Sequence, residues 1–283
     1  MTFDLDGAVS FVAAHGRVLD RRRLGFLLGA EPAAGVVAAV EAYRNGDGGF
    51  GWGLEPDLRS RSSQPVAAMH ALEVFAEVGD AGRAAALCDW LGGRSLGDGG
   101  VPFALPFADA GGSAPHWAGA DPRVSSLQMT SQLVAHALRL DLVGHPWLVA
   151  ASEYCLRTLE ALPAAPSAYE LLFSVKFLDA AAVSSARARR LLERYTGYVR
   201  TDGPTPVEGS EGEVLFPLDF TPSAGAPSRE LFTKEAVAAD LERLAGQQQA
   251  DGGWVVTFPS YSAAAALEWR AYATVQAVLV LTS

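Results

Sequence analysis

The chain has 283 residues, 49% of them hydrophobic, and a formal net charge of -10 with a pI near 5.0. That length buries a large core as one unit, while the acidity argues against a nucleic-acid partner, which needs clustered positive charge. No apolar run has the length a bilayer demands, residues 1–6 are acidic and carry no signal core, and Cys88 and Cys155 match no disulfide or zinc spacing, so a cytoplasmic protein with two free thiols is expected.

Taken in chain order, apolar residues recur at helical spacing through most of the sequence, and strand-like alternation is scarce. The pattern predicts helices over 5–27 (in one piece or two), 33–45, 62–78, 81–93, 124–142, 145–161, 167–181, 184–200, 234–248 and 264–281. Start signals stand at Pro32, at Ser62-Ser63 before Gln64-Pro65, at Pro146 and at Pro166-Ser167. Short links such as Val78-Gly79-Asp80 and Leu142-Val143-Gly144 predict antiparallel helix hairpins. The longer connections, 46–61, 94–122, 201–232 and 249–263, all fall on the same side of the alternation and are predicted to gather on one face. Residues 203–228 hold too much Pro and Gly for a helix. They are expected to replace one inner helix and partly enter the cavity mouth.

A turn repeats between the helices: Asp47-Gly48-Gly49-Phe50, Asp98-Gly99-Gly100-Val101 and Asp251-Gly252-Gly253-Trp254, with a worn copy at Asp202-Gly203. The starts fall about 50 residues apart, with one copy missing near residue 150, and such a period marks one supersecondary unit copied several times. The fullest copy reads Gln247-Gln248-Gln249-Ala250-Asp251-Gly252-Gly253-Trp254. Its glutamines are expected to satisfy free groups at adjoining helix ends and its indole to pack on the next unit, as a structural clamp.

That Gln-x-x-x-Asp-Gly-Gly-Trp stretch resembles the QW-type repeat of squalene–hopene cyclases. Their α/α toroid is shared by class II terpene cyclases and the β subunits of protein prenyltransferases. The stretches Gly53-Leu54-Glu55-Pro56-Asp57-Leu58-Arg59, Pro217-Leu218-Asp219-Phe220-Thr221-Pro222 and Glu268-Trp269-Arg270 also resemble a bacterial family of single-domain toroids. The resemblance implies an all-α chain, a single domain over 1–283, built as an α/α toroid of five to six helical hairpins. Inner helices would surround an apolar central cavity.

Class II cyclases protonate an alkene with Asp-x-Asp-Asp, which is absent here; nearest in type and position is Glu55-Pro56-Asp57. Two carboxyls two residues apart, stiffened by a proline before a helix start, either share a proton or hold a cation, or they bond local amides and Arg59 or Arg61. The Asp, Cys and His zinc site of protein prenyltransferases has no counterpart. No cofactor is expected, and Mg²⁺ would enter only with a diphosphate substrate. Of the five histidines (His15, His70, His116, His136 and His145), His70 and His136 fall on expected inner helices, as bases or ligands or as satisfied core side chains.

Arg59, Arg61, Arg123 and Arg270 are candidate cations for a polar headgroup, or ion-pair partners of Glu55, Asp57, Asp121 or Glu268. Trp52, Trp117, Phe216, Phe220 and Trp269 are candidate walls of an apolar site. Gln64, Asp219 and Glu268 complete the expected binding set. No nucleophile elbow, P-loop or H-E-x-x-H is present, and glycine-rich 46–53 follows no strand, which argues against dinucleotide binding.

The expectation is therefore a terpene-cyclase-like lyase or isomerase acting on an isoprenoid or similar apolar substrate, with Glu55 or Asp57 as the acid. One rival is a non-catalytic toroid that binds a lipid-like ligand or a partner protein. A third reading is a carbohydrate-active toroid using paired carboxylates. The character of the lumen separates the three.

Overall fold

In the computed structural model, which describes residues 2–283 apart from 141, 143 and 210, the chain is all-α with one two-stranded exception. Helices α1 (Leu5–His15) and α2 (Val18–Leu27) divide the first expected stretch at Gly16, whose backbone is extended. After α3 (Ala33–Glu41), Pro65 opens α4 (Pro65–Val78), which stops at Gly79 in the left-handed conformation. Asp80 then caps α5 (Ala81–Gly92) by accepting from the Arg83 N–H. A short α6 (Pro115–Ala118) precedes α7 (Leu127–Ala137), capped by Ser126. This helix is shorter than its predicted span, and Val143 of the expected link lies outside the described residues. Next come α8 (Pro146–Ala161), α9 (Ala168–Ala182) and α10 (Ala186–Tyr195).

Residues 203–228 contain no long helix, as their composition implies. They form a small hairpin of β1 (Thr205–Pro206) and β2 (Val214–Leu215), then α11 (Pro217–Phe220), and lead into a 3₁₀ turn (Pro227–Leu231). The chain ends with α12 (Lys234–Gly246) and α13 (Ala263–Thr282).

Burial separates two kinds of helix. In α4 every residue from Pro65 to Phe75 is buried, and α7 is nearly as enclosed; a helix covered on all sides is an interior one. By contrast α5 and α10 bury one face each. Interior α4, α7 and α9 pack in sequence, with α5, α8 and α10 against their outer sides. From α9 the contacts pass through α11 to α12 and α13, and α13 packs on α1 and α2. Since α2 meets α3 and α3 meets α4, the circuit of contacts returns to its start.

The turns set this geometry, and all three copies share one construction. In each, the second glycine N–H donates to the aspartate side chain, at 3.1, 3.0 and 3.2 Å for Asp47, Asp98 and Asp251. The first glycine is left-handed, and the following Phe50, Val101 or Trp254 is buried. Gly252 shows why no other residue serves: φ is 89°, and a Cβ would sit 2.1 Å from the Gly7 carbonyl oxygen.

Inner helices receive these turns through their own side chains. Val101 N–H donates to Thr130 Oγ1 on α7, and Trp254 N–H to Thr274 Oγ1 on α13. The glutamine expectation holds at Gln248, whose amide accepts from Asp4 N–H and donates to the Asp4 and Gly252 carbonyls. The last turn thereby fastens the start of α1 to the end of the chain. Trp254 Nε1 donates to the Leu244 carbonyl at 2.7 Å, and its ring meets Phe3 edge-on.

Candidate functional site

Three of the four long connections meet over the N-terminal end of α4. Ala114 N–H donates to the Asp57 carbonyl, Arg59 N–H to Ser113 Oγ, and Tyr261 N–H to Asp57 Oδ1. The stretch 201–232 makes no such bond to the other three among the described residues; it lies between α9 and α12, with Leu218 N–H donating to Asp240 and Ser228 N–H to Asp179. The gathering of loops thus holds for three connections.

Glu55 and Asp57 lie at the centre of that meeting, 4% and 6% exposed. Pro56 turns the loop so that Asp57 N–H donates to Glu55 Oε1 at 3.0 Å. The other Glu55 oxygen lies 2.9 Å from His70 Nε2, and His70 Nδ1 lies 3.6 Å from Glu73 Oε2. Both His70 and Glu73 belong to α4, three residues apart and therefore on one face. Tyr272 and Gln276 of α13 each donate to Glu73 at 2.9 Å, and Arg23 of α2 approaches at 3.3 Å and also pairs with Glu77. Asp57 Oδ2 accepts from Trp269 Nε1 at 2.7 Å.

The charges follow from these partners. Burial alone would lower the His70 pKa, but the Glu55 and Glu73 carboxylates overcome it and raise it, so His70 favours the imidazolium. Burial works against the Glu73 anion too, yet Arg23 and His70 hold its pKa well below the usual range. Asp57 behaves oppositely. Burial raises its pKa, the Trp269 and Tyr261 hydrogen bonds resist, and the nearby Glu55 charge adds to the rise. One carboxyl of the pair faces a cation; the other is biased toward holding its proton.

Aromatic side chains roof Asp57. Trp269 meets Phe258 at 5.0 Å and Tyr272 at 5.6 Å, both edge-on, and His116 meets Tyr261 and Trp117. His116 and Tyr261 are exposed, and Trp269 and Phe258 half-buried, so these rings form a mouth above a sheltered acid.

Behind the mouth the interior is charged. Asp219 and Arg139 have exposed surface, and His136, Lys176 and Tyr272 keep part of theirs. Yet burial dominates the titration of His136, Lys176, Asp219 and Tyr272. The mutual electrostatic influence of His136, Arg139, Lys176, Asp219 and Glu73 places them together in a polar, partly solvent-accessible region. Burial, with Arg139 and Lys176 nearby, drives the His136 pKa down to about 3, while burial raises that of Asp219 against the opposing pull of Lys176. Where the resemblance implies apolar inner helices, α7, α9 and α13 carry the ionisable side chains His136, Lys176 and Tyr272.

The other expected site residues are dispersed. Trp52, 53% exposed and left-handed at φ 57°, donates to Asn45 and lines a separate surface cleft of ≈ 570 Å³ with Arg61 and Asp109. Buried Gln64 braces the Leu105 backbone in both directions. Trp117 stacks on Phe103 at 4.7 Å. Arg59 pairs with Glu268 beside the mouth. Arg123, its side chain 87% exposed, pairs with Asp121. Arg270 makes a two-pronged bond to Asp251 and covers the Phe11 ring, so it serves the turn. Phe216 carries Arg243 on its face at 3.5 Å, Asp219 caps the Phe216 N–H, and Phe220 packs on Phe232.

Sequence reasoning missed Glu73, Tyr272, Gln276, Arg23 and Lys176. For Glu73 a signal was present: it is a charged residue inside the apolar run of α4, three positions past His70. Among the described residues no group of three or more His, Cys, Asp or Glu side chains is placed to hold a metal ion. No helix among them is long and apolar enough to cross a membrane.

Neither family models nor curated proteins match the chain. Among solved structures, one described as a protein from Actinoplanes is similar at a TM-score of 0.58 and 15% identity, covering 98% of each chain. That likeness extends over essentially the whole length and speaks for the fold alone.

Proposed function

We propose that the circuit of helices is an α/α toroid whose mouth houses an acid catalyst, Asp57, acting on an unsaturated, isoprenoid-like substrate that carries a polar group. One observation carries this reading: a buried carboxyl, its pKa raised, lies under an aromatic roof beside Glu55, which His70 contacts. A raised pKa favours the protonated form that acid catalysis uses, and ring faces stabilise the cation that protonation of an alkene creates. Glu55, paired with His70, sets the field around Asp57 and orients its backbone. The charged interior suits the polar end of the substrate. No Asp-x-Asp-Asp supports the step, so the case rests on Asp57 and its surroundings.

A second reading has a specific observation in its favour. Both oxygens of Glu55 and both of Asp57 have partners inside the protein, as in a binding scaffold that turns nothing over. One experiment separates the two. Wild type, Asp57→Asn and Glu55→Gln are incubated with prenyl diphosphates, prenyl alcohols and small glycosides, and products are followed by mass spectrometry. Acid catalysis predicts an isoprenoid product that disappears in Asp57→Asn. Turnover retained in that variant removes the assignment, and turnover of glycosides alone removes the isoprenoid substrate.

A further inference from the structure

The chain uses arginine almost everywhere a cation is needed. Of its 22 basic side chains only Lys176 and Lys234 are lysines. Lys234 is exposed at the first position of α12. Lys176 stands in the middle of α9, between buried Val175 and Phe177, half-buried in the polar region described above.

Two enclosed cations elsewhere in this protein are arginines with carboxylate partners: Arg23 takes Glu73 and Glu77, and Arg17 takes Asp20. Lys176 has no carboxylate within ion-pair distance among the described residues, and its Nζ lies 5.5 Å from the Phe173 ring centroid. A guanidinium never gives up its proton under ordinary conditions, whereas an amine does. Lys176 is thus chemically distinct from those paired arginines.

From its placement, isolation and partial access we propose that Lys176 is a nucleophilic amine that forms an imine with a small aldehyde or ketone entering the solvent-accessible space around it. Its surroundings support the free base. Burial lowers its pKa, Arg139 adds to the effect, and Asp219 and Glu73 oppose it. The amine lone pair attacks the carbonyl carbon, giving a carbinolamine. The nitrogen then expels the oxygen, which takes one proton from the attacking amine and one from an acid and leaves as water. Asp219, whose carboxyl burial raises, supplies that second proton from the same space. No oxidant or reductant takes part. The proposal does not rest on Asp57.

Having only two lysines makes the test direct. The full chain is incubated at neutral pH with limiting propanal and cyanoborohydride, which reduces imines to stable amines, and peptides are mapped by mass spectrometry. Lys234 serves as the internal reference. The expected result is Lys176 propylated roughly ten-fold faster than Lys234 or more, since a protonated surface amine is a poor nucleophile, with Lys234 still labelled in Lys176→Arg. Equal or slower labelling of Lys176 in the wild type overturns the proposal, with no need for any variant to fold.

Discussion

His70 Nε2 lies 2.9 Å from Glu55 Oε2, so an inner helix supplies the partner of one half of the acid pair. Glu73 flanks the same ring from its other side. Removing the ring leaves two buried carboxylates facing each other. His70→Ala is therefore expected to cost about 3–5 kcal/mol, read as a lower midpoint in urea unfolding. A loss under about 1 kcal/mol would mean that the network carries no stabilising charge.

The interior histidines make opposite contributions to pH dependence. His70, its pKa raised, adds stability that is present below its ordinary value of 6.5 and lost as pH rises through the folded-state value. His136, its pKa lowered from 6.5 to about 3, adds stability that is present above 6.5 and lost as pH falls toward 3. Between those limits His136 contributes a slope of at most about 1.4 kcal/mol per pH unit. His136→Gln is expected to flatten the acid side of the stability profile, measured by thermal melts from neutral to acid pH. An unchanged acid side would place a charged imidazole there instead.

The repeat turns predict a contrast between two glycines. Gly252→Ala forces a side chain into the left-handed region and against the Gly7 carbonyl, so it is expected to destabilise by more than about 1 kcal/mol. At Gly203, in the worn copy, a Cβ meets nothing within 4 Å. Gly203→Ala is expected to stay within about 0.5 kcal/mol of wild type. Equal effects in chemical denaturation would show that the turn geometry is not what holds the ends of the chain.

Trp254 gives the clamp its packing. It is buried between α1, α12 and α13 and bonds the Leu244 carbonyl. Trp254→Ala is expected to cost about 3–5 kcal/mol and to loosen α1 first, seen as faster amide exchange across residues 5–15 than across α7. Uniform exchange along the chain would contradict a local role.

How much of this was legible beforehand depended on distance along the chain. The Asp-Gly-Gly turns and the proline starts of α4 and α8 are local signals, and local chemistry settles them, whereas the place where 5–27 divides, Gly16, had no such signal. The acid pair was legible as two carboxyls around a proline. Its partners were less so: Trp269 reaches Asp57 across 212 residues and Tyr272 reaches Glu73 across 199. Only the closing of the helix circuit brings such groups together. Of the two alternatives open for the candidate arginines, ion pairing is what Arg123 and Arg270 show. Arg123 and Arg270 have acids at hand, and an arginine prefers a partner that is already present. The polar interior was hidden because single charged residues such as Lys176 and Asp219 interrupt apolar runs only once each.

The most direct measurement is the infrared titration of Asp57 itself, taken as the difference between wild type and Asp57→Asn in D₂O. A protonated carboxyl that is lost in the variant should persist above the ordinary aspartate value of about 3.9, because burial and Glu55 raise it. If that carboxyl titrates with its midpoint at or below the ordinary value, no acid waits beneath the aromatic mouth and the catalytic account is wrong.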